Sequence, residues 1–120
     1  MTEGQTTMTI HERFQRGAAV LTVSASVLSD ADVDRLKSVI RSHLNSGVRR
    51  LILDFKHVQH LNSLGIGVLL HARRAMQTVR GELRVAGINE NGLMILKRTS
   101  LQKYFPTFRD VDRALQVEQA

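Results

Sequence analysis

The chain contains no cysteine. No disulfide can brace it and no thiolate can act as nucleophile or metal ligand, an absence that fits a reducing compartment. Tryptophan is missing too, and there is a single tyrosine. The densest basic points, Arg49-Arg50 and Arg73-Arg74, therefore have no interleaved aromatics of the kind that stack single-stranded bases. The one proline, Pro106, is the only residue that forbids a helix outright. No apolar run approaches the roughly 18 residues of a membrane span. The opening MTEGQTTMTIHERF lacks the charged start and apolar middle of a signal peptide. These absences predict a cytoplasmic protein without a membrane span.

What is present is ordinary for a packed chain. At 120 residues with 42% apolar content, one core is expected, so residues 1–120 are read as one domain whose polar residues 1–7 fray. The formal charge is +6, from 17 Lys and Arg against 11 Asp and Glu. Thirteen of the cations are arginines, and they are scattered. That distribution reads as a solvated basic face rather than dedicated nucleic-acid binding, with an anionic nucleotide or lipid headgroup as the alternative ligand.

Periodicity orders the elements. Met8, Ile10 and Phe14 suggest a first strand, Arg16-Gly17 a turn, and Ala18 to Ser24 a second strand. Ser29-Asp30 opens a helix with Val33, Leu36, Val39, Ile40 and Leu44 on one stripe, closed near Gly47. Leu51 to Phe55 has the unbroken apolar character of a strand buried on both faces. A second helix after Ser63 carries Gly65, Val68, Leu69, Ala72, Met76 and Val79 inward and is stopped by Gly81. Glu82 to Ile88 is a fourth strand. A shorter helix spans Leu93 to about Leu101 with Leu93, Ile95 and Leu96 inward. Leu101, Tyr104 and Phe105 are expected to cover an edge of the core. Thr107-Phe108 is a last short strand, and a final helix starts near Asp110 with Val111, Ala114, Leu115 and Val117 inward. The order β-β-α-β-α-β-α-β-α implies an α/β fold with a mixed sheet of four to five strands and four helices: an antiparallel hairpin first, then right-handed parallel crossovers.

The chemistry concentrates at the start of the second helix, Asn62-Ser63-Leu64-Gly65-Ile66-Gly67. Either Asn62 or Ser63 can be the N-cap. If Asn62 caps, the Ser63 hydroxyl is left free at the first helical position. Phosphate there would meet unsatisfied backbone N–H groups and the positive end of the helix dipole, adding about −1.5 to −2 charges. Gly65 and Gly67 keep the surface low for a partner's approach. Ser24, Ser26 and Ser29 are expected at the same end of the sheet. Asp54 reads as a strand-end residue that fixes a turn. His57 and His60 are three apart but lack a third ligand, so neither metal nor cofactor is expected. His11, His43 and His71 read as surface residues. No hydrolase or phosphate-loop spacing occurs.

The run LILDFKHVQHLNSLGIGVLL, with Asp54 closing an apolar strand and Ser63-Leu64-Gly65-Ile66-Gly67 opening a helix, resembles the signature of the STAS domain family, in particular its bacterial anti-sigma-factor antagonists. Element order extends the resemblance over residues 8 to 118. It implies a non-enzymatic switch. In the family, the serine matching Ser63 is phosphorylated by a partner that is both serine kinase and anti-sigma factor, and the resemblance implies the same cycle for this chain. The unphosphorylated form binds that partner, and a metal-dependent phosphatase restores it. Asn62, Ser63, Leu64 and Gly65, with Ser24 and Ser26, would form the partner surface. Asn62 stands where the family pattern has an acidic residue, and Ala25 where it often has glycine. The family also includes scaffold, transporter-attached and lipid-transport members, some of which need no phosphorylation, and a scaffold or interaction module without a phosphate cycle is the second reading.

Overall fold

A computed structural model describes residues 8–116; the expectations for residues 1–7 and for Val117 lie outside them. Strands β1 (Thr9–Gln15) and β2 (Ala18–Ala25) form the expected antiparallel hairpin. Gln15 pairs with Ala18, so the loop is two residues long. Arg16 (φ 50°) and Gly17 (φ 78°) both lie in the left-handed region, as the twist-matched hairpin turn requires. Helix α1 (Asp30–Asn45) starts on a capping box: the Ser29 hydroxyl accepts from the Asp32 amide at 3.2 Å, and the Ser29 amide donates back to the Asp32 carboxylate at 2.9 Å. Then come β3 (Arg50–Val58), α2 (Ser63–Thr78), β4 (Glu82–Ala86), α3 (Glu90–Arg98), a 3-10 turn at Gln102–Tyr104, β5 (Thr107–Phe108) and α4 (Val111–Leu115). This is a single α/β domain with a mixed sheet of five strands and four helices. The sheet order is β1-β2-β3-β4-β5, antiparallel only between the first two.

The sheet separates two cores. On one face Leu21, Val23, Leu51, Leu53, Phe55 and Val85 meet Leu36 and Ile40 of α1, Val68, Leu69, Ala72 and Met76 of α2, and Leu96 of α3. On the other, Ala18, Val20, Ile52 and Ala86 are covered by Val111, Ala114 and Leu115 of α4. Arg84 holds α4 in place by donating to the carbonyls of Ala114 at 2.7 Å and Gln116 at 3.1 Å.

Strand β3 runs longer than its apolar core because it contains a bulge. Thr22 pairs with Asp54 but Ser24 pairs with His57, so β3 carries one extra residue there. Phe55 and Val58, three apart, can therefore both face the α1–α2 core. Asp54 sits at this bulge, buried, accepting from the Lys56 amide at 3.0 Å and the Thr22 hydroxyl at 3.1 Å.

Several expectations need correction. Arg80 (φ 57°), not Gly81, takes the left-handed position that ends α2. Gly81 is needed because a Cβ there would lie 2.7 Å from the Arg49 carbonyl oxygen. The fourth strand stops at Ala86. Helix α3 begins three residues earlier than its leucines suggest and ends at Arg98, where Ser100 (φ 60°) reverses the chain. Its inward residues are Gly92 and Leu96, while Leu93 is 40% exposed. A Cβ on Gly92 would come within 2.5 Å of Ile88, so the helix rotates its bare position toward the core and its leucine outward. Phe14 is 65% exposed and meets the His43 ring edge-on at 5.5 Å. His43 is half-buried, bonded to Glu12 at 2.7 Å. Tyr104 is 39% exposed beneath the Arg73 guanidinium, and Phe105 alone of that pair is buried.

Candidate functional site

The C-terminal ends of β2, β3 and β4 feed three loops that lie side by side, and two asparagines lace them together. Asn62 is the N-cap of α2: its side-chain oxygen accepts from the Gly65 amide at 2.9 Å. Its amide nitrogen donates to the Leu28 carbonyl in the β2–α1 loop at 3.0 Å. Asn89 repeats the arrangement at α3, accepting from Gly92 at 2.9 Å and donating to the Gln59 carbonyl at 2.9 Å. The Gln59 and His60 amides in turn donate to the Ala25 and Ser26 carbonyls at 3.1 and 2.9 Å. Each asparagine faces one N–H and one C=O, so its orientation is fixed by chemistry.

Because Asn62 caps, Ser63 is the first helical residue. It is exposed, and its hydroxyl has no hydrogen-bond partner among the described residues. The Ser63 and Leu64 amides lack intrahelical acceptors by position. No acidic side chain lies in the first turn of α2. Leu64 is half-buried against the core. Gly65 is buried, and a Cβ on it would meet Leu61 at 2.8 Å, whereas Gly67 is exposed with open space around it. Only Gly67 therefore lowers the surface; Gly65 lets α2 sit close to the loop.

The structure brings Ser26 to this site but not Ser24. Ser26 is beside the β3–α2 loop, its hydroxyl 3.5 Å from Gln59. Ser24 alternates with Ala18, Val20 and Thr22, so it lies on the α4 face of the sheet, away from Ser63. Ser29 is spent on capping α1. Asp54 also points to the α4 side, onto a polar hollow of about 370 Å³, and organises the bulge rather than the serine loop. His57 and His60 are exposed on either side of Val58.

Residues not singled out by sequence reasoning also surround the serine loop. Val27 is 45% exposed at the β2–α1 loop, and Met94 is 49% exposed on α3. His60, Leu61, Asn91, Met94 and Arg98 line a shallow depression of about 260 Å³. One signal was available: Asn89-Glu90-Asn91-Gly92 repeats the Asn-x-x-Gly spacing of Asn62-Ser63-Leu64-Gly65. No helix among the described residues is long and apolar enough to cross a membrane.

The chain belongs to the STAS domain family, whose pattern matches residues 9–114. Among curated proteins it is similar to BtrV of Bordetella bronchiseptica, named a candidate anti-sigma factor antagonist, with 22% identity over 80 residues, 67% of this chain and 69% of that protein. Among solved structures it resembles an anti-sigma factor antagonist from Mycobacterium paratuberculosis (TM-score 0.79, 22% identity, 91% and 92% of the two chains). It also resembles the Bacillus cell fate determinant SpoIIAA in its phosphorylated form (TM-score 0.68, 16% identity, 88% and 99%). The fold is that of the anti-sigma factor antagonists.

Proposed function

We propose that this protein is an anti-sigma factor antagonist whose binding to an anti-sigma factor with serine kinase activity is gated by phosphorylation of Ser63. The observation that carries the reading is the division of labour at the helix mouth. Asn62 makes the capping hydrogen bond, so the exposed Ser63 hydroxyl has no structural task to lose on modification. A phosphoryl group on it adds about −1.5 to −2 charges at neutral pH. That charge is enough to break a fitted interface without unfolding the helix, since a helix N-terminus favours it. The partner footprint is Asn62, Ser63 and Leu64, positioned by Gly65, with Ser26 beside them. The protein acts as substrate and ligand in the cytoplasm rather than as an enzyme, and a metal-dependent phosphatase returns it to the binding form. The likeness to a protein solved in phosphorylated form supports this cycle.

A second reading, a constitutive scaffold without a phosphate cycle, is favoured by one residue: the uncharged Asn62 beside the serine. The two part on one experiment. The cognate anti-sigma factor and ATP are added to wild type and Ser63→Ala, and the products are mapped by mass spectrometry. The switch requires one phosphate on Ser63 in the wild type and none in the variant, together with at least tenfold weaker binding by Ser63→Asp. Undiminished binding by Ser63→Asp, without modification of the wild type, selects the scaffold.

A further inference from the structure

The charge of this chain is not spread evenly. Residues 35–81 contain nine Lys and Arg and one carboxylate, Asp54. That carboxylate is buried on the α4 side. The rest of the chain has eight Lys and Arg against ten Asp and Glu. The excess of +6 is therefore a segment of +8 set against a remainder of −2. The segment comprises most of α1, strand β3, the serine loop and α2.

Five of these nine cations lie on α1 and α2; Arg35 donates to the Met8 carbonyl and Arg73 stacks on Tyr104, and helix geometry gathers the other three. Ser63, Gly67, Leu70, Arg74 and Gln77 recur at steps of four and three and are all exposed, so they form one outward stripe of α2. Ser63 and Arg74 are eleven residues apart, about 16 Å along the axis. Midway, Gly67 is bare and Leu70 is an exposed apolar side chain. On the neighbouring helix Lys37 and Arg41 share a face at a spacing of four. His71, half-buried on α2, lies within reach of Lys37, Arg41 and Arg74 together. Burial first, then these three cations, hold its imidazole below the ordinary histidine value. None of the three cations is in an ion pair with a carboxylate of the described residues. The acids of α1, Asp30, Asp32 and Asp34, all lie in its first turns, toward the Ser63 end. Like charges gathered on two packed helices repel one another, and an external acidic surface relieves that repulsion.

We infer that the α1–α2 face bearing Lys37, Arg41, His71 and Arg74 is a docking surface for a cluster of carboxylates on the protein partner that reads Ser63. The inference rests on the switch reading for the identity of that partner. The partner lies along the α2 stripe, with its reactive or sensing end over Ser63, an apolar contact on Leu70, and its acidic patch about two to three turns further along. The cationic face steers and orients the encounter, and the serine gates it. Carboxylates brought over His71 favour its protonated form, so docking takes up a proton and strengthens as pH falls from about 7 toward 5.5.

Poly-L-glutamate is the first probe, titrated at low salt while amide and His71 ring resonances are followed. Shifts confined to α1 and α2, a His71 titration moved upward, and at least tenfold weaker binding by Arg41→Glu/Arg74→Glu are expected, with Arg109→Glu, an exposed arginine outside both helices, binding like wild type. Arg41 and Arg74 are also exposed, and circular dichroism verifies the fold of the double variant. Absence of binding, or binding unchanged in the double variant, overturns the inference. So does tighter binding through the same residues to duplex DNA or phosphatidylglycerol vesicles, which would assign the face to nucleic acid or membrane. With the anti-sigma factor itself, the double variant should associate at least tenfold more slowly. Wild-type association by the double variant with loss by Ser63→Asp would sink the docking face and leave the switch standing. The reverse pattern would sink the switch while the docking face stands.

Discussion

Asn62 makes two hydrogen bonds that no carboxylate makes together, one as acceptor from Gly65 and one as donor to the Leu28 carbonyl. This gives a structural reason for asparagine where the family pattern has an acid. A carboxylate in its place would still cap α2, but one of its oxygens would face the Leu28 oxygen at close range. Asn62→Asp should therefore lower stability by about 1–3 kcal/mol, the cost of an unmade buried hydrogen bond, measured by denaturant unfolding. Asn62→Ala loses the cap as well, worth about 1 kcal/mol, and should be at least as damaging. Ser63→Ala, which removes no internal bond, should stay within about 0.5 kcal/mol of wild type. A stability loss on Ser63→Ala equal to that of Asn62→Ala would mean that the cap has been misassigned. His71 makes a separate prediction. Its folded-state value lies below the unfolded one, so the unfolded chain binds more protons as pH falls through about 6.5. Stability should be full above that pH and decline below it. His71→Gln should flatten the decline between about pH 7 and 5.5 when thermal midpoints are compared.

At the scale of elements, what is local was legible and what depends on close approach was not. The hairpin turn, α1 with its capping serine, and the strand–loop–helix around Ser63 all follow from residues within a few positions of one another. The register of α3 did not, because Gly92 marks its inward face by having no side chain. A hydrophobic pattern therefore puts Leu93 there instead. The bulge in β3 was invisible for a related reason: it is set by Asp54 and its pairing with Thr22 of β2, far away in the chain. The side of the sheet on which Ser24 falls is different, since strand alternation alone decides it and was legible in the sequence. Two glycines test how much of the fold is backbone conformation and how much is contact. Gly47 (φ 94°) and Gly87 (φ 78°) are both left-handed, but a Cβ at Gly47 meets open space, while at Gly87 it lies 2.7 Å from the Lys56 nitrogen and 2.9 Å from Asp54. Gly47→Ala should cost only the left-handed penalty of about 1–2 kcal/mol. Gly87→Ala should cost more, since one contact is backbone and the other is a carboxylate oxygen held by the Lys56 amide. Equal losses in denaturation would mean that the β3 bulge yields easily.

Over the whole molecule, fold and charge obey different logics. The fold is fixed by two cores back to back across one sheet, and neither contains a cation. Helices α1 and α2 carry five Lys and Arg against three Asp, and those acids sit in the first turns of α1, so the cations further along form a local patch that can change without disturbing the cores. Self-repulsion in that patch should make the protein sensitive to salt even alone. Raising NaCl from about 20 to 200 mM shortens the screening length from roughly 20 to 7 Å and should raise the thermal midpoint. Arg41→Glu/Arg74→Glu should lose most of that response. A salt response identical in the two proteins would show that the cations are too well solvated to interact.

The strand order β1-β2-β3-β4-β5 is also the order of synthesis. Each strand that leaves the ribosome finds its neighbour already made and adds to one advancing edge, so no strand must be inserted between two others. The hairpin comes first and needs no crossover. Each later strand arrives behind a helix that spans the return path, and the loop bearing Ser63 is completed only when β4 and Asn89 close beside it. A nascent chain interrupted before residue 82 would present the serine on an unfinished edge, with Gln59 lacking its asparagine tether. Competence for partner binding should therefore appear late and all at once during translation.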